Sequence, residues 1–342
     1  MTGNLAATGL SEVEVTRFAE ALTRLGAGTP LLLAVSGGPD SMAMLTLAAA
    51  TLPDGVAAAS VDHRLRPEGA DEALAVARHC ARIGVPHATL TPVEPIAGAS
   101  LQALARTARY LLLAGEARRL GAIAVATAHH ADDAAETFLM RAARGSGLAG
   151  LAGVRPRAVI AGVAVVRPLL DWRRAELRAV VRRAGVPFVD DPANRDERHD
   201  RTRFRRLLEA NEWLDPLHLA QSAAHLAEAD AEIAAGLDGV WALHARVEET
   251  SVRLDVAGLP REVRRRLARR AIGTVRDAAG IAVPPWSDAA NVERLLDALE
   301  GGHRATQAGV IATPRGHRWR FAAAPPRRAA PAHAEEGKNT PG

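Results

Sequence analysis

Six consecutive residues have the types expected of a site for a negatively charged ligand: Ser36, Gly37, Gly38, Pro39, Asp40 and Ser41. They follow the apolar run 31–35 and precede a helical pattern that begins at Met42. Two glycines let the backbone come close to a ligand, and the free N–H groups of a helix start favour an anion. Because the segment has no lysine, it is not a Gly-x-x-x-x-Gly-Lys-Ser/Thr loop. The pattern predicts a phosphate-binding turn, with a plain glycine turn capped by an aspartate or a serine as the alternative.

A second polar group follows the fourth apolar run: His129, His130, Asp132, Asp133 and Glu136. The spacings of three and four residues bring its carboxylates together near one helix start. Such crowding is costly unless cations occupy the site, and magnesium or a substrate ammonium would serve. An acidic helix start that complements the helix dipole is the alternative. A zinc site is less favoured because the spacing is not His-Glu-x-x-His.

Three further residues carry weaker signals. Asp62 and His63 follow the second apolar run, where a turn cap and a surface histidine are the alternatives. Arg109 lies in a helical pattern, where a solvated face or an ion pair with Glu116 or Asp71 explains it equally well. The residues alone leave the role of all three open.

The elements that must position these residues alternate along the chain. Repeated strand and helix patterns predict an α/β fold with a doubly wound, mostly parallel sheet, whose ligands bind at the carboxyl ends of the strands. Predicted strands cover 31–35, 56–61, 87–90, 122–128 and 163–166, and predicted helices cover 41–50, 68–83, 100–120, 132–144 and 173–184.

After Pro192 the strand signals stop, and the patterns predict a smaller helical domain. Predicted helices cover 217–247, 261–279 and 287–299, and 310–313 with 317–321 are typical of a hairpin. The Pro, Ala and Arg composition beyond Ala323 is typical of a disordered tail. The predicted domains are an N-terminal helical segment 1–29, an α/β domain 30–210, a helical domain with a terminal hairpin 211–322, and a disordered tail 323–342.

Chain length and the counts of cysteine and lysine exclude several classes of protein. The 342 residues suffice for roughly two domains with a substantial core. One cysteine, Cys80, excludes an intrachain disulfide framework, and Lys338 as the only lysine excludes a Schiff-base lysine outside the tail. The sequence shows neither a secretory leader pattern nor an apolar run long enough for a membrane span. We therefore expect a soluble, cytoplasmic protein with no membrane partner.

Arginines cluster in two segments beyond the predicted sheet. Segment 195–206 has six arginines against three acids, and segment 261–270 has six against one. Such patches hold phosphates and stack on bases, although a solvated helix face is the common alternative. The net charge of +4 is too small to establish nucleic-acid binding by itself.

Six motifs follow one another within about residues 31–208. They are Ser-Gly-Gly-Pro-Asp-Ser at 36–41, Val-Asp-His-Arg-Leu-Arg at 61–66, Ala-Arg-Thr-Ala-Arg-Tyr at 105–110, His-His-Ala-Asp-Asp-Ala-Ala-Glu-Thr at 129–137, Arg-Gly-Ser-Gly-Leu-Ala-Gly-Leu at 144–151 and Arg-Pro-Leu-Leu at 167–170. In these motifs and their order the chain resembles the tRNA(Ile)-lysidine synthases. The resemblance implies an adenine-nucleotide alpha-hydrolase-like fold with a pyrophosphate loop, as in enzymes that split ATP into AMP and pyrophosphate.

The resemblance implies an ATP-dependent ligase that joins free L-lysine to position 2 of the wobble cytidine in tRNA(Ile) with a CAU anticodon. Transfer of AMP to the ring carbonyl oxygen turns a poor leaving group into one that departs as AMP. The implied cofactors are ATP, as co-substrate, and Mg²⁺; the implied partners are the tRNA and lysine. The oligomeric state stays open, with a homodimer as one option.

The resemblance also implies roles for residues around ATP. The loop 36–41 would hold the pyrophosphate portion, and Asp62 and His63 would face the nucleoside side. Asp40 would help to hold Mg²⁺, which prefers carboxylate and phosphate oxygens. Arg109 would meet phosphate in the transition state.

The acidic group would serve the second substrate. A lysine ammonium has a reference pKa of about 10.4, so Asp133 and Glu136 would orient the amine or take its proton. The resemblance also makes 30–210 the ATP-pyrophosphatase catalytic domain, and it favours tRNA contact for segment 195–206 and for the helical domain 211–322. The predicted substrate-binding residues are His130, Asp132, Asp133, Glu136, Arg201 and Arg205, and the predicted catalytic residues are Asp40, Arg109, Asp133 and Glu136.

Two alternative functions stay open. A tRNA thiolase of the same superfamily usually needs paired cysteines for sulfur relay, whereas Cys80 is alone. A nucleotide-binding regulator that holds ATP without turnover would not need three carboxylates beside a triphosphate. The ligase remains the favoured interpretation.

Overall fold

The computed structural model describes residues 9–65, 68–98, 100–189, 200–287 and 290–325. The chain forms two compact units, Met1–Asp230 and Ala231–Gly342. The predicted domain bounds at residues 29, 210 and 322 stay predictions. Arg195 and Arg198 of the first arginine segment, and nearly all of the predicted tail, lie outside the described residues.

The first unit is built on a six-stranded sheet that confirms the predicted α/β fold. Its strands are β1 (Leu31–Ala34), β2 (Val56–Val61), β3 (His87–Leu90), β4 (Ala124–Ala126), β5 (Arg157–Ile160) and β6 (Val163–Val166). Their order is β3-β2-β1-β4-β6-β5, with all pairs parallel except the edge pair β5–β6. The winding reverses between β1 and β4, where such sheets bind ligands. Strand β5 was not predicted: Ala158, Val159 and Ile160 are apolar, but exposed and half-buried positions alternate along the strand, so it has no regular buried face.

The helices of the first unit lie between these strands and after them. They are α1 (Glu12–Arg24), α2 (Pro39–Thr51), α3 (Glu68–Ile83), α4 (Leu101–Leu120), α5 (Ala131–Ala142), α6 (Leu148–Leu151), α7 (Arg174–Arg183), α8 (Asp200–Glu209) and the beginning of α9 (Pro216–His244). Helix α8 was missed by sequence analysis because arginines occupy four of its ten positions and leave little apolar periodicity. No described helix is long and apolar enough to cross a membrane.

The sheet of the first unit is covered on both faces, as expected for parallel strands. Along β1, Leu31 and Leu33 belong to one core cluster and Leu32 to another, and all three are fully buried. Helix α2 is largely enclosed, and six of its apolar residues are at most 1% exposed: Met42, Ala43, Met44, Leu45, Leu47 and Ala48. The turn between β1 and α2 is therefore held by two rigid elements.

The second unit contains more strands than the helical domain with a terminal hairpin that the sequence predicts. It holds a five-stranded antiparallel sheet in the order β7-β8-β11-β10-β9, with α10 (Arg261–Ala278) and α11 (Glu293–Glu300) sharing its core. The predicted hairpin is present as β10 and β11. The strands are β7 (Ala245–Val247), β8 (Ser251–Asp255), β9 (Ala305–Gln307), β10 (Val310–Arg315) and β11 (Arg318–Ala323). The missed strands have only three to five residues, and β7 continues directly from the end of α9, so its sequence is read as helix.

Candidate active site

The predicted phosphate loop connects β1 to α2 and is shaped by its glycines and serines. Gly37 has a φ of +84°, a left-handed conformation that favours glycine. The Ser36 N–H donates to Ser41 Oγ at 3.1 Å, and Ser41 Oγ donates to the Gly38 carbonyl at 2.9 Å. No side chain caps the start of α2, whose N-cap is Gly38. The turn is thus fixed from within, and the positive end of α2 is left to a ligand.

Asp40 lies in the first turn of α2 with one carboxylate oxygen unsatisfied. Its Oδ1 is buried and has no hydrogen-bond partner among the described residues. An isolated carboxylate oxygen of this kind suits Mg²⁺, which binds proteins through one or two carboxylates and takes its other ligands from phosphates and water. The described residues include no group of three or more His, Cys, Asp and Glu placed to hold a metal. The arrangement fits a metal held jointly by Asp40 and substrate phosphates.

His130 connects the phosphate loop to the acidic group. It caps α5 after β4 and is 1% exposed; its Nε2 lies 3.5 Å from Asp40 Oδ2 and 3.6 Å from Asp133 Oδ2. The Asp133 N–H donates to His130 Nδ1 at 3.4 Å, and the His130 N–H donates to Asp133 Oδ2 at 3.1 Å. Burial opposes the charged imidazole, but the carboxylates of Asp133 and Asp40 raise the pKa of His130 above its ordinary value.

Glu136 is completely buried and is held by three arginines. Its Oε1 accepts hydrogen bonds from Arg174 at 2.8 Å and from Arg205 Nε at 2.9 Å, and its Oε2 accepts one from Arg201 Nε at 2.7 Å. Burial alone would raise the pKa of Glu136, but the bonds to these guanidinium groups hold it below the usual range. Both carboxylate oxygens are therefore engaged within the chain.

The two aspartates of the acidic group are also engaged. Asp133 Oδ1 accepts a hydrogen bond from Arg201 at 2.6 Å. Although burial favours its neutral form, the charges of His130 and Arg201 lower the pKa of Asp133 to about 2. Asp132 Oδ2 accepts the backbone N–H of Arg174 at 2.8 Å and lies 3.4 Å from Arg173 Nε. The crowding that we expected magnesium or a substrate ammonium to offset is offset here by the chain's own guanidinium groups.

Sequence analysis missed Arg173 and Arg174, although a signal for them exists. They stand at the start of α7, where positive side chains oppose the helix dipole unless acids face them. Asp132 and Glu136 are those acids. The pairing joins the start of α7 to the start of α5.

A small cleft of about 50 Å³ lies beside this network. Its walls carry both signs of charge together with an apolar leucine and proline. A ligand that has both a carboxylate and an ammonium group matches such a lining. The lining residues are Asp132, Glu136, Arg173, Arg174, Arg205, Leu208, Glu209 and Pro216.

Asp62 and His63 lie after β2, at the same edge of the sheet. Asp62 Oδ1 accepts the Arg64 N–H at 2.8 Å, which is the turn cap considered above as an alternative. Both ring nitrogens of His63 are buried and have no hydrogen-bond partner among the described residues. Burial, and after it the charge of Arg109, lowers the pKa of His63. The neutral ring is thus available to a ligand.

Three arginines, Arg106, Arg109 and Arg167, lie near Tyr110. Arg106 lies with its guanidinium carbon 5.1 Å from the centre of the Tyr110 ring. Arg167 is 6% exposed and donates to the Arg155 carbonyl at 2.6 Å, while its Nε is buried with no partner in the described parts of the chain. The ion pair of Arg109 considered above is absent among the described residues.

These arginines also act on His129. Its Nδ1 lies 2.9 Å from Thr127 Oγ1. Burial lowers the pKa of His129 to about 4; Asp133 opposes the shift, and Arg167 and Arg106 add to it. His129 is therefore neutral at neutral pH.

Comparison with known proteins agrees with this geometry. Residues 11–211 match the PP-loop domain family. The chain is 43% identical over 303 residues to the tRNA(Ile)-lysidine synthase of Zymomonas mobilis, covering 87% of this chain and 89% of that protein. It is 42% identical to the one of Methylobacterium nodulans, covering 95% and 99%.

A solved structure of similar fold is the U34-tRNA thiolase NcsA from Methanococcus maripaludis with its [4Fe-4S] cluster. The TM-score is 0.54 at 17% identity, over 64% of this chain and 78% of that one, which bears on the fold alone. The sequence matches extend over most of the chain and include both the loop and the acidic group. The chain therefore belongs to the tRNA(Ile)-lysidine synthase family.

Proposed function

We propose that the protein uses ATP to join the ε-amine of L-lysine to position 2 of the wobble cytidine of tRNA(Ile) with a CAU anticodon. The observation that carries the proposal is the contact of His130 with both Asp40 and Asp133, which brings the loop 36–41 next to the acidic group. The proposal is supported by the relatives named above, which are tRNA(Ile)-lysidine synthases, a name that gives the tRNA and the lysidine formed on it.

The first step forms an adenylated cytidine. The cytosine carbonyl oxygen attacks the α-phosphorus of ATP, and the bond to pyrophosphate breaks. The loop 36–41 holds the departing pyrophosphate, and the uncapped start of α2 stabilises the charge that moves onto it. Asp40 would hold Mg²⁺, which when bound neutralises phosphate charge. Arg109 is assigned to the reacting phosphate, and Asp62 and His63 to the nucleoside.

The second step forms the carbon–nitrogen bond. The lysine amine attacks C2 of the ring, and the C2–O bond breaks so that the oxygen leaves within AMP. The amine must first lose a proton from its ammonium form. Glu136 has both oxygens bonded to guanidinium groups and Asp133 has a pKa of about 2, so both are weak bases. Of the two roles expected for them, orientation of the lysine is favoured over proton abstraction.

The cleft beside Glu136 is the proposed place of the lysine substrate. Arg173 and Arg205 offer guanidinium groups to its α-carboxylate, and Asp132 and Glu209 offer carboxylates to its α-ammonium. Because Arg201 and Arg205 face the acidic group, they are proposed as lysine-positioning residues. Arg203, exposed on the same helix, remains for contact with tRNA.

The thiolase alternative is disfavoured by the state of the cysteine. Cys80 is fully buried in α3, and burial raises the pKa of its thiol to about 11. A thiol of this kind is a poor nucleophile and has no second cysteine in the sequence to relay sulfur. The regulator alternative is disfavoured because the relatives named above are synthases.

The test is the release of pyrophosphate and AMP from ATP by purified protein, with lysine and a tRNA(Ile) transcript added singly and together. We expect AMP release only when both are present. Turnover unaffected by lysine would overturn the proposal.

A matched pair of variants tests the loop. Asp40→Asn removes the unpartnered carboxylate and should abolish adenylation. Asp54→Asn changes an exposed turn residue by the same charge and should leave the rate unchanged. Full activity of Asp40→Asn would show that the loop assignment is wrong.

A further inference from the structure

Three arginines face one another across the sheet of the second unit. Arg246 on β7 is paired in register with Arg253 on β8, and Arg253 is paired with Arg320 on β11. Directly paired residues of an antiparallel sheet lie on the same face. All three side chains are exposed. We name Arg246, Arg253 and Arg320 the arginine row.

The opposite face of the same sheet is its buried side. Val252 and Leu254 alternate with Arg253 along β8, and Trp319 and Phe321 alternate with Arg320 along β11. These four apolar residues belong to the core of the second unit. The arginine row therefore takes no part in packing the core of the second unit.

The charge of the arginine row is only partly balanced. Arg253 lies 3.1 Å from Glu248, but Arg246 donates only to the backbone carbonyls of Ala242 and Ala245. Arg320 has no ion-pair partner in the part of the chain that the structure describes. Like charges directly opposite each other destabilise a sheet. The row is thus costly to the isolated fold, which indicates an external anion.

A neighbouring pair extends the positive surface. Arg315 on β10 is paired with Arg318 on β11, and Arg318 with Asp255 on β8. Arg318 is 77% exposed, and its Nε lies 4.0 Å from Asp255 Oδ2, which is a long distance for an ion pair. The outward positions of the described strands carry five arginines, and Asp255 is the only acid among them.

Most arginines of helix α10, unlike those of the sheet face, are paired with acids of the second unit. Arg261 pairs with three acids of α11, Arg265 and Arg266 pair with Glu262, and Arg270 pairs with Asp238. Their charge is largely neutralised within the unit. The sequence segment 261–270 is thus a weaker candidate for an RNA contact than the sheet face.

We propose that the arginine row is a docking surface for the phosphate backbone of tRNA, an inference that rests on the proposed function. Neighbouring strands are about 4.8 Å apart, so the row spans three strands at a spacing that flexible arginines can match to successive phosphates. A membrane surface is the less suitable partner, because the described outward positions of this face carry no aromatic residue to anchor in a bilayer.

The test compares two variants that each remove three positive charges. The row variant carries Arg246→Gln, Arg253→Gln and Arg320→Gln. The control variant changes three exposed arginines of the same unit that lie outside its strands: Arg270→Gln, Arg294→Gln and Arg304→Gln. The affinity for an unmodified tRNA(Ile) transcript is measured by fluorescence anisotropy over a range of salt concentrations.

We expect the row variant to bind the transcript at least tenfold more weakly, and the slope of log affinity against log salt to fall by about 2–3. The control should change that slope by less than about 1. The row variant should keep its kcat for AMP release at saturating tRNA, because the row lies outside the proposed active site.

Two results would overturn the docking surface. Equal loss of affinity in both variants would mean that only overall charge matters. Unchanged tRNA affinity in the row variant, with loss of binding to vesicles of anionic phospholipid, would assign the face to a membrane. If wild-type AMP release needs no tRNA, the proposed function fails, while the affinity comparison still decides on the docking surface.

Discussion

The two units each contain a network of arginines and carboxylates, and the networks differ in their access to water. In the first unit, Glu136 is fully buried, and Arg174, Arg201 and Arg205 meet it from α7 and α8. The carboxylate has exchanged its water for three guanidinium groups. Taking it out of the network would leave three arginines facing a site built for a negative charge.

In the second unit the carboxylates stay in contact with solvent. Arg261 meets Glu293, Asp297 and Glu300, whose side chains are 26–65% exposed. Water can replace any lost partner here. The comparison teaches that the number of ion pairs says little about their importance, because burial decides what breaking one costs.

The largest expected effect comes from Glu136→Gln. Removing one partner of a buried ionic network costs about 3–5 kcal/mol. The matched change Glu293→Gln in the second unit should cost less than about 1 kcal/mol, although hydrogen bonds to Arg265 and Arg261 lower the pKa of Glu293 to about 2. Urea unfolding measures both. Equal costs would show that burial does not separate the two networks.

The second-largest effect is expected from low pH, which should lower the stability of the first unit. Folded His129 has a pKa of about 4, so between pH 6.5 and 4 the unfolded chain binds a proton that the folded chain does not. Stability falls as pH falls through this window, by roughly 3 kcal/mol at its end. His129→Gln should remove that part of the pH dependence of the urea midpoint. An unchanged pH profile in this variant would contradict the assignment.

A smaller effect is expected on substrate binding. Arg205 lines the cleft, so Arg205→Gln should raise the KM for lysine about tenfold, or roughly 1.4 kcal/mol, by removing a charge-assisted bond. The control Arg203→Gln, on the same helix and exposed, should alter the KM for tRNA and leave that for lysine unchanged. Steady-state AMP release measures both constants. A reversed pattern would exclude the cleft as the lysine site.

The smallest effect should be found at Arg261. Arg261→Gln should destabilise the protein by less than about 1 kcal/mol, and the difference should shrink in high salt because exposed charges are screened. Glu136→Gln should keep its full effect at the same salt concentration. Thermal unfolding at low and high sodium chloride gives the comparison.

Sequence periodicity predicted the elements that bury one regular face. Helix α3 was predicted with its observed bounds, since Val76, His79 and Cys80 are buried at helical spacing and Gly84, with a φ of +74°, ends it. The phosphate loop was likewise placed by local pattern at the end of β1. Elements with exposed or mixed residues, such as β5, β7 and α8, carry no such signal.

Sequence analysis predicted which residues form the acidic group, but not which residues of other elements contact them. Local spacing brought Asp132, Asp133 and Glu136 to one helix start, and they lie there. That Arg174 and Arg201 would complete the group depends on contacts between residues 38 to 68 positions apart, which no local pattern encodes. The same holds for His130 and Asp40.

The most direct test follows the oxygen that the ring loses. A tRNA(Ile) transcript is prepared with a heavy oxygen isotope at the C2 carbonyl of the wobble cytidine and is incubated with protein, ATP and lysine. The account predicts that the isotope appears in AMP, because the carbonyl oxygen leaves as part of the adenylate. Unlabelled AMP, with the isotope retained in the tRNA or released to water, would contradict it.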